Sequence, residues 1–221
     1  MTWDNLSWWD SPHSISAFKK LEEGKHRPDR DLIFAAMDEC PLDKVKVVLC
    51  GQDPYPGVDT EGNPYATGLS FSIPAGSLFT PTLSSLFLEY TSDLHYPTPT
   101  SGDLTPWAKE GVLLWNIYLS CQNSRSLSHR WLEWEELTKE VFDVTSKRGS
   151  VFILLGAVPR QFKEYISEED SFILEAPHPM SDVYPKRKGI PRSSFKGSRI
   201  FTKCNDLLCN MKLGAIDWRL K

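Results

Sequence analysis

Three polar side chains stand just beyond short apolar runs, and their types could do chemistry together. Asp53 lies in Gly51-Gln52-Asp53-Pro54-Tyr55-Pro56-Gly57, directly after the run 45–50. A turn rich in Gly and Pro at a strand end fixes the backbone and can turn amide N–H groups into a crevice. Asn116 closes the run that starts at 111 and brings one donor and one acceptor. His178 sits between Pro177 and Pro179, on a stiff loop that can aim an imidazole. Phe71, in Gly68-Leu69-Ser70-Phe71-Ser72, offers an aromatic floor. A carboxylate, an amide, an imidazole and a ring make a convergent polar site if the fold brings them together. Taken singly each has a plainer role: Asp53 as a turn former, Asn116 as a cap, His178 as a structural histidine and Phe71 as core.

The elements that must position them follow from periodicity. The runs 45–50, 111–119, 150–155 and 172–176 are short, partly β-branched and bounded by polar or Gly/Pro turns, the pattern of buried parallel strands. Helical spacing is predicted over 80–94, 133–147, 158–166 and 200–212. Strands alternating with helices predict a doubly wound α/β domain, three layers deep, around a four-stranded, mostly parallel twisted sheet. Ligands of such sheets bind beyond the carboxyl ends of the strands, where Asp53, Asn116 and His178 lie.

The composition bounds the partners. The chain of 221 residues is 40% hydrophobic and 24% charged, enough to build one core as a single domain over 1–221. A net charge of -4 argues against a non-specific coat on nucleic acid but leaves room for a local basic patch. Cys40, Cys50, Cys121, Cys204 and Cys209 are odd in number and irregular in spacing, with no zinc-ligand pattern, which suits free thiols in a reducing compartment. The first residues lack a basic and then apolar leader, and no apolar run could span a bilayer, so an intracellular, reducing compartment and no membrane partner are expected. Trp3, Trp8 and Trp9 are expected to dock on the body.

From about residue 40 to the end the sequence resembles the family 1 uracil-DNA glycosylases. VVLCGQDPYP is similar to their water-activating motif, GLSFS to their uracil-stacking segment and GDLTPWAKEGVLLWN to the stretch that ends in their base-reading asparagine. Ser128-His129, APHPMSDVY, FTKCNDLL and AIDWRL resemble further family segments in the same order, whereas residues 1–40, a helical segment, match poorly.

The resemblance implies hydrolysis of the N-glycosidic bond of uracil in single- or double-stranded DNA, leaving an abasic site, by a monomer without cofactor. It implies a catalytic carboxylate at Asp53 and a donor to the departing base at His178. Gln52 and Asn116 would hold the base, Phe71 would stack on it and Tyr55 would exclude a C5 methyl. A proteinaceous glycosylase inhibitor or a replication complex is the expected protein partner. Thr82 would supply the hydroxyl that the family places on phosphate, and Met180 and Ser181 stand in the loop that meets DNA.

The chain also departs from the family. Pro56 replaces the usual histidine, and the loop after His178 lacks the wedge leucine, for which Met180 is the substitute. Asp182 puts negative charge where phosphates should lie. Residues 59–63 and 185–194 are insertions. Across 185–199 there are Lys186, Arg187, Lys188, Arg192, Lys196 and Arg199, with no acidic residue, which predicts a basic strip for phosphates. These departures keep two other readings open: a DNA-binding protein on the same scaffold with weak or no catalysis, and a glycosylase for another pyrimidine lesion, against which Tyr55 argues.

Overall fold

Five-residue runs that are apolar on both faces are satisfied only in a sheet covered on both sides. The computed structural model of the chain describes residues 2–21, 25–183 and 194–220. Its elements run in order α1 (Pro12–Lys20), β1 (His26–Arg27), α2 (Ala35–Glu39), β2 (Val47–Gly51), α3 (Pro81–Leu94), α4 (Thr105–Lys109), β3 (Val112–Asn116), β4 (Cys121–Gln122), α5 (Trp134–Ser146), β5 (Val151–Leu155), α6 (Ala157–Arg160), β6 (Phe172–Ala176) and α7 (Ile200–Asn210). The main sheet has the order β3-β2-β5-β6 and is wholly parallel. Helices lie on both faces, giving the three-layer α/β/α arrangement expected.

The strand order sets the position of the site. From β2 the chain crosses to β3 on one side, and from β5 it crosses to β6 on the other. Connections that leave in opposite directions open a crevice between the carboxyl ends of β2 and β5. Gly51 pairs with Asn116 at the end of β2 and β3, and Leu155 pairs with Ala176 at the end of β5 and β6. All four strand-end loops therefore open on one rim.

Two expectations are corrected. The helix expected over 158–166 is only the single turn α6, followed by a tight turn at Lys163–Tyr165. Phe162 and Tyr165 are three apart, a spacing that an i→i+3 turn eclipses on one side, and their ring centroids lie 6.0 Å apart. The run 172–176 is not a buried strand. It is the outer edge of the sheet, and Phe172 is 46% exposed. The short antiparallel pair β1–β4 (His26 opposite Gln122, Arg27 opposite Cys121) lies outside the main sheet, and two residues per strand leave no periodicity to read.

The tryptophan-rich start docks on α5. Glu140 accepts from the N–H groups of Ser7 (2.6 Å) and Trp8 (2.9 Å), and the Trp8 and Trp134 rings lie 5.7 Å apart. On the opposite flank Glu89, buried in α3, accepts from the N–H groups of Gly197 and Arg199, and Asp93 accepts from those of Phe201 and Thr202. Acidic side chains at the start of α7 satisfy its unpaired N–H groups and complement its dipole. No helix among the described residues is long and apolar enough to cross a membrane.

His129, in the loop that joins β4 to α5, is buried. Its Nδ1 lies 2.9 Å from Ser120 Oγ, which itself accepts from Trp134 Nε1 at 2.9 Å. Burial, with His26 adding to it, lowers its pKa from the usual 6.5 to about 4. Between pH 6.5 and 4 the unfolded chain then binds more protons at this site than the folded one. The contribution is full above 6.5 and is lost as pH falls through that window, by roughly 3 kcal/mol in all. Thermal melts from pH 7 to pH 4 are expected to fall less steeply for His129→Gln than for the wild type. Equal slopes would remove His129 from that account.

Candidate active site

The end of β2 must carry a glycine. A Cβ at Gly51 would stand 2.7 Å from Asn116 Oδ1 and 3.2 Å from the Phe71 ring, closer than packed atoms allow. The missing side chain lets Asn116 and Phe71 approach the strand end. Asn116 is fixed from behind: Thr138 Oγ1 donates to the Ile117 carbonyl (3.0 Å) and accepts from Trp115 Nε1 (3.0 Å). The chain after β3 stays tied to β2, because Ile117 N–H donates to Gly51 C=O (3.1 Å) and Tyr118 N–H to Gln52 C=O (3.0 Å).

The loop that carries Phe71 is stitched to the same strands. Ser70 N–H donates to Leu114 C=O (2.9 Å) and Ser70 Oγ to Leu49 C=O (3.1 Å). Phe71 has φ +65, a left-handed conformation that costs a bulky residue about 1–2 kcal/mol. It turns its carbonyl to the Tyr55 hydroxyl, which donates to it at 3.3 Å. Burial raises the Tyr55 pKa well above its ordinary value, so the ring stays a neutral phenol.

His178 follows β6 and caps the short turn Pro179–Asp182. Its Nδ1 accepts from Met180 N–H at 3.2 Å. A nitrogen that accepts carries no proton, so in the neutral ring the proton sits on Nε2. Burial lowers the pKa of His178, and the charge of Asp53 opposes this only in part, so the imidazole is neutral at pH 7. Its ring lies 6.3 Å from that of Phe71. Behind it stands Gly156 with φ +101, where a Cβ would meet His178 Cβ at 3.2 Å.

Asp53 is half-buried and held by three donors. Gln52 Nε2 lies 2.9 Å from Oδ1, Leu127 N–H 2.6 Å from Oδ2, and Ser126 Oγ 2.9 and 2.8 Å from the two oxygens. One cavity of about 810 Å³ is lined by Gln52, Asp53, Tyr55, Phe71, Thr82, Asn116, His178, Met180 and Ser181. All nine were expected from the sequence. Of the basic strip, Lys186, Arg187, Lys188 and Arg192 lie outside the described residues, while Lys196 N–H donates to Asp182 at 2.8 Å and Arg199 Nε stands 3.8 Å from Asp93 Oδ1. Among the described residues no three His, Cys, Asp or Glu side chains gather as a metal site.

Ser126, Gly156 and Arg160 are among the lining residues that the sequence does not single out. Ser126 belongs to a polar stretch, 122–128, that reads only as a loop. Gly156 and Arg160 follow β5, whose end carries no acidic, amide or imidazole side chain to mark it in the sequence. Arg160 Nε donates to Gly156 C=O at 2.8 Å, and Arg160 is the one Lys or Arg among the described lining residues. A partly apolar cavity whose lining includes a carboxylate, an imidazole N–H donor, an amide and an aromatic ring can hold a flat heterocycle and stabilise charge that develops on either side of a breaking bond.

Comparison with known proteins gives a consistent family. The model of the Uracil DNA glycosylase superfamily matches residues 37–208. The uracil-DNA glycosylase of Campylobacter lari is 39% identical over 212 residues, covering 94% of this chain and 85% of the relative. That of Acinetobacter baylyi is 38% identical over 195 residues, covering 87% and 78%. Among solved structures, the mimivirus uracil-DNA glycosylase aligns with a TM-score of 0.79 at 27% identity, over 89% of this chain and 75% of that one. A mimivirus UNG Y322F in complex with UGI aligns with a TM-score of 0.80 at 26% identity, over 94% and 80%.

The close approach at the end of β2 is open to test. Gly51→Ala is expected to lower the urea midpoint by an amount equal to about 1–3 kcal/mol, the cost of overpacking a tight site. A midpoint equal to that of the wild type would show that Asn116 and Phe71 do not depend on the missing side chain.

Proposed function

The chain belongs to the uracil-DNA glycosylase superfamily, and from that premise we infer that it excises uracil from DNA by hydrolysing the N-glycosidic bond. It leaves an abasic site, the opening step of base excision repair. The observation that carries this reading is the convergence of Asp53, Asn116, Phe71, Tyr55 and a neutral His178 on one cavity.

The roles follow from the chemistry of the bond. The C1′–N1 bond breaks with its electron pair leaving on the base, so positive charge grows on the sugar and negative charge on the pyrimidine. The Asp53 carboxylate stabilises the cationic sugar and takes a proton from the water whose oxygen adds to C1′. His178, protonated at Nε2 and neutral, donates to the departing base at its carbonyl oxygen. The base must first leave the helix, which costs a few kcal/mol. Phe71 then stacks on it, and the amide of Asn116 donates to one carbonyl and accepts from the ring N–H. Cytosine offers the opposite pattern there and would leave buried polar groups unpaired. Tyr55, held by its bond to Phe71, blocks the position a C5 methyl would occupy, which disfavours thymine and bulkier C5 lesions.

Partners follow from the same reading. Thr82, in the first turn of α3, meets a phosphate, as do Lys186, Arg187, Lys188 and Arg192; Met180 and Ser181 face the vacated stack. The mimivirus complex with UGI supports a proteinaceous inhibitor as a second partner. The acting species is a monomer inside the cell, where the free cysteines stay reduced.

A labelled oligonucleotide with one uracil, treated with the protein and then with alkali, is expected to break at that position. Asp53→Asn should slow single-turnover excision by roughly 10²–10⁴-fold, the range for losing a positioned charged group. An intact strand at micromolar wild-type protein would refute the activity and favour a DNA-binding protein without catalysis.

A further inference from the structure

We propose that Ser126 is a positioning residue for Asp53: its hydroxyl, presented by a pinned turn, holds the carboxylate in the orientation the hydrolysis needs. The proposal rests on the reading of Asp53 as the reacting carboxylate.

The terminal torsion of an aspartate is soft, so its head turns unless donors fix it. At Asp53 the donors are Gln52 Nε2, Leu127 N–H and Ser126 Oγ. Ser126 is the one that spans both oxygens, at 2.9 and 2.8 Å. Gln52 Nε2 also lies 3.3 Å from Ser126 Oγ, so that oxygen accepts from the amide and its single proton is directed at the carboxylate. An ionised carboxylate has about four acceptor sites. Three donors fill three of them and leave one for a water.

The turn that presents the hydroxyl is fixed on several sides. Ser124 N–H donates to Pro56 C=O (2.8 Å), Asn123 N–H to Lys25 C=O (3.2 Å) and Gln122 N–H to Ser128 Oγ (2.6 Å). Ser124 and Leu127 both hold positive φ, +60 and +57, which brings the Leu127 N–H onto Asp53. Sparsely populated backbone of this kind persists where the surroundings over-determine it, and it clusters at functional sites. Ser126 itself is exposed, so its loss leaves no buried cavity, and its effect should fall on the reaction and not on the fold.

Single-turnover excision separates the step from binding. Ser126→Ala is expected to slow the chemical step roughly 10- to 100-fold, the worth of one hydrogen bond to a charged group, with the KM for uracil-containing DNA unchanged. Ser126→Thr, which keeps the hydroxyl, should recover most of the rate. In an Asp53→Asn background the same Ser126→Ala change should cost little more, because the hydroxyl acts through the carboxylate. Wild-type rates for Ser126→Ala beside a slow Asp53→Asn would overturn this proposal alone, as would an undiminished effect in the double variant. A fast Asp53→Asn would overturn the reading of Asp53 itself, and this proposal with it.

Discussion

A missing side chain at the end of one strand is the constraint on which the rest of the site depends. Gly51 pairs with Asn116 across β2 and β3, and the space its Cβ would fill is taken by the Asn116 oxygen and the edge of Phe71. The parallel register then brings the loops after β2 and β3 onto the rim where the loops after β5 and β6 also end. Each loop is tied back by its own bonds: Ser70 to Leu49 and Leu114, Tyr118 to Gln52, Arg160 to Gly156. The cavity is therefore shaped before any ligand arrives, and preorganised dipoles need not turn as charge develops.

Electrostatics distinguishes Asp53 from His178 in the lining of this cavity. The Asp53 carboxylate meets donors on both oxygens, which suits an anion. His178 is half-buried, neutral and given a defined tautomer by one backbone N–H. A cationic imidazole would bind a departing anion more tightly, but its desolvation would be costly in so apolar a setting. In the proposed reaction a neutral donor and a held carboxylate would stabilise opposite charges on the two sides of one bond.

The parts of this arrangement legible in sequence are those encoded next to one another. Four apolar runs marked the sheet, and the residues after three of them gave Asp53, Asn116 and His178. The remainder depends on distant contacts. Ser126 sits 73 residues from Asp53 in a stretch that looks like any polar loop. Glu89 lies on the apolar face of α3, where a carboxylate looks misplaced until the N–H groups at the start of α7 arrive to satisfy it. The break in the helix after β5, where Phe162 and Tyr165 meet in a tight turn, is not reported by periodicity alone. Gly156 and Arg160 were within reach, since the rule that singled out the other strand ends applies equally to theirs.

The central claim is that these strand ends form a socket for one pyrimidine. A crystal structure with free uracil bound measures this directly. The account predicts the ring stacked on Phe71, the Asn116 amide paired with the base edge, and His178 Nε2 within about 3 Å of a uracil carbonyl oxygen. Uracil bound elsewhere, or bound there with His178 turned away and accepting at Nε2, would contradict it.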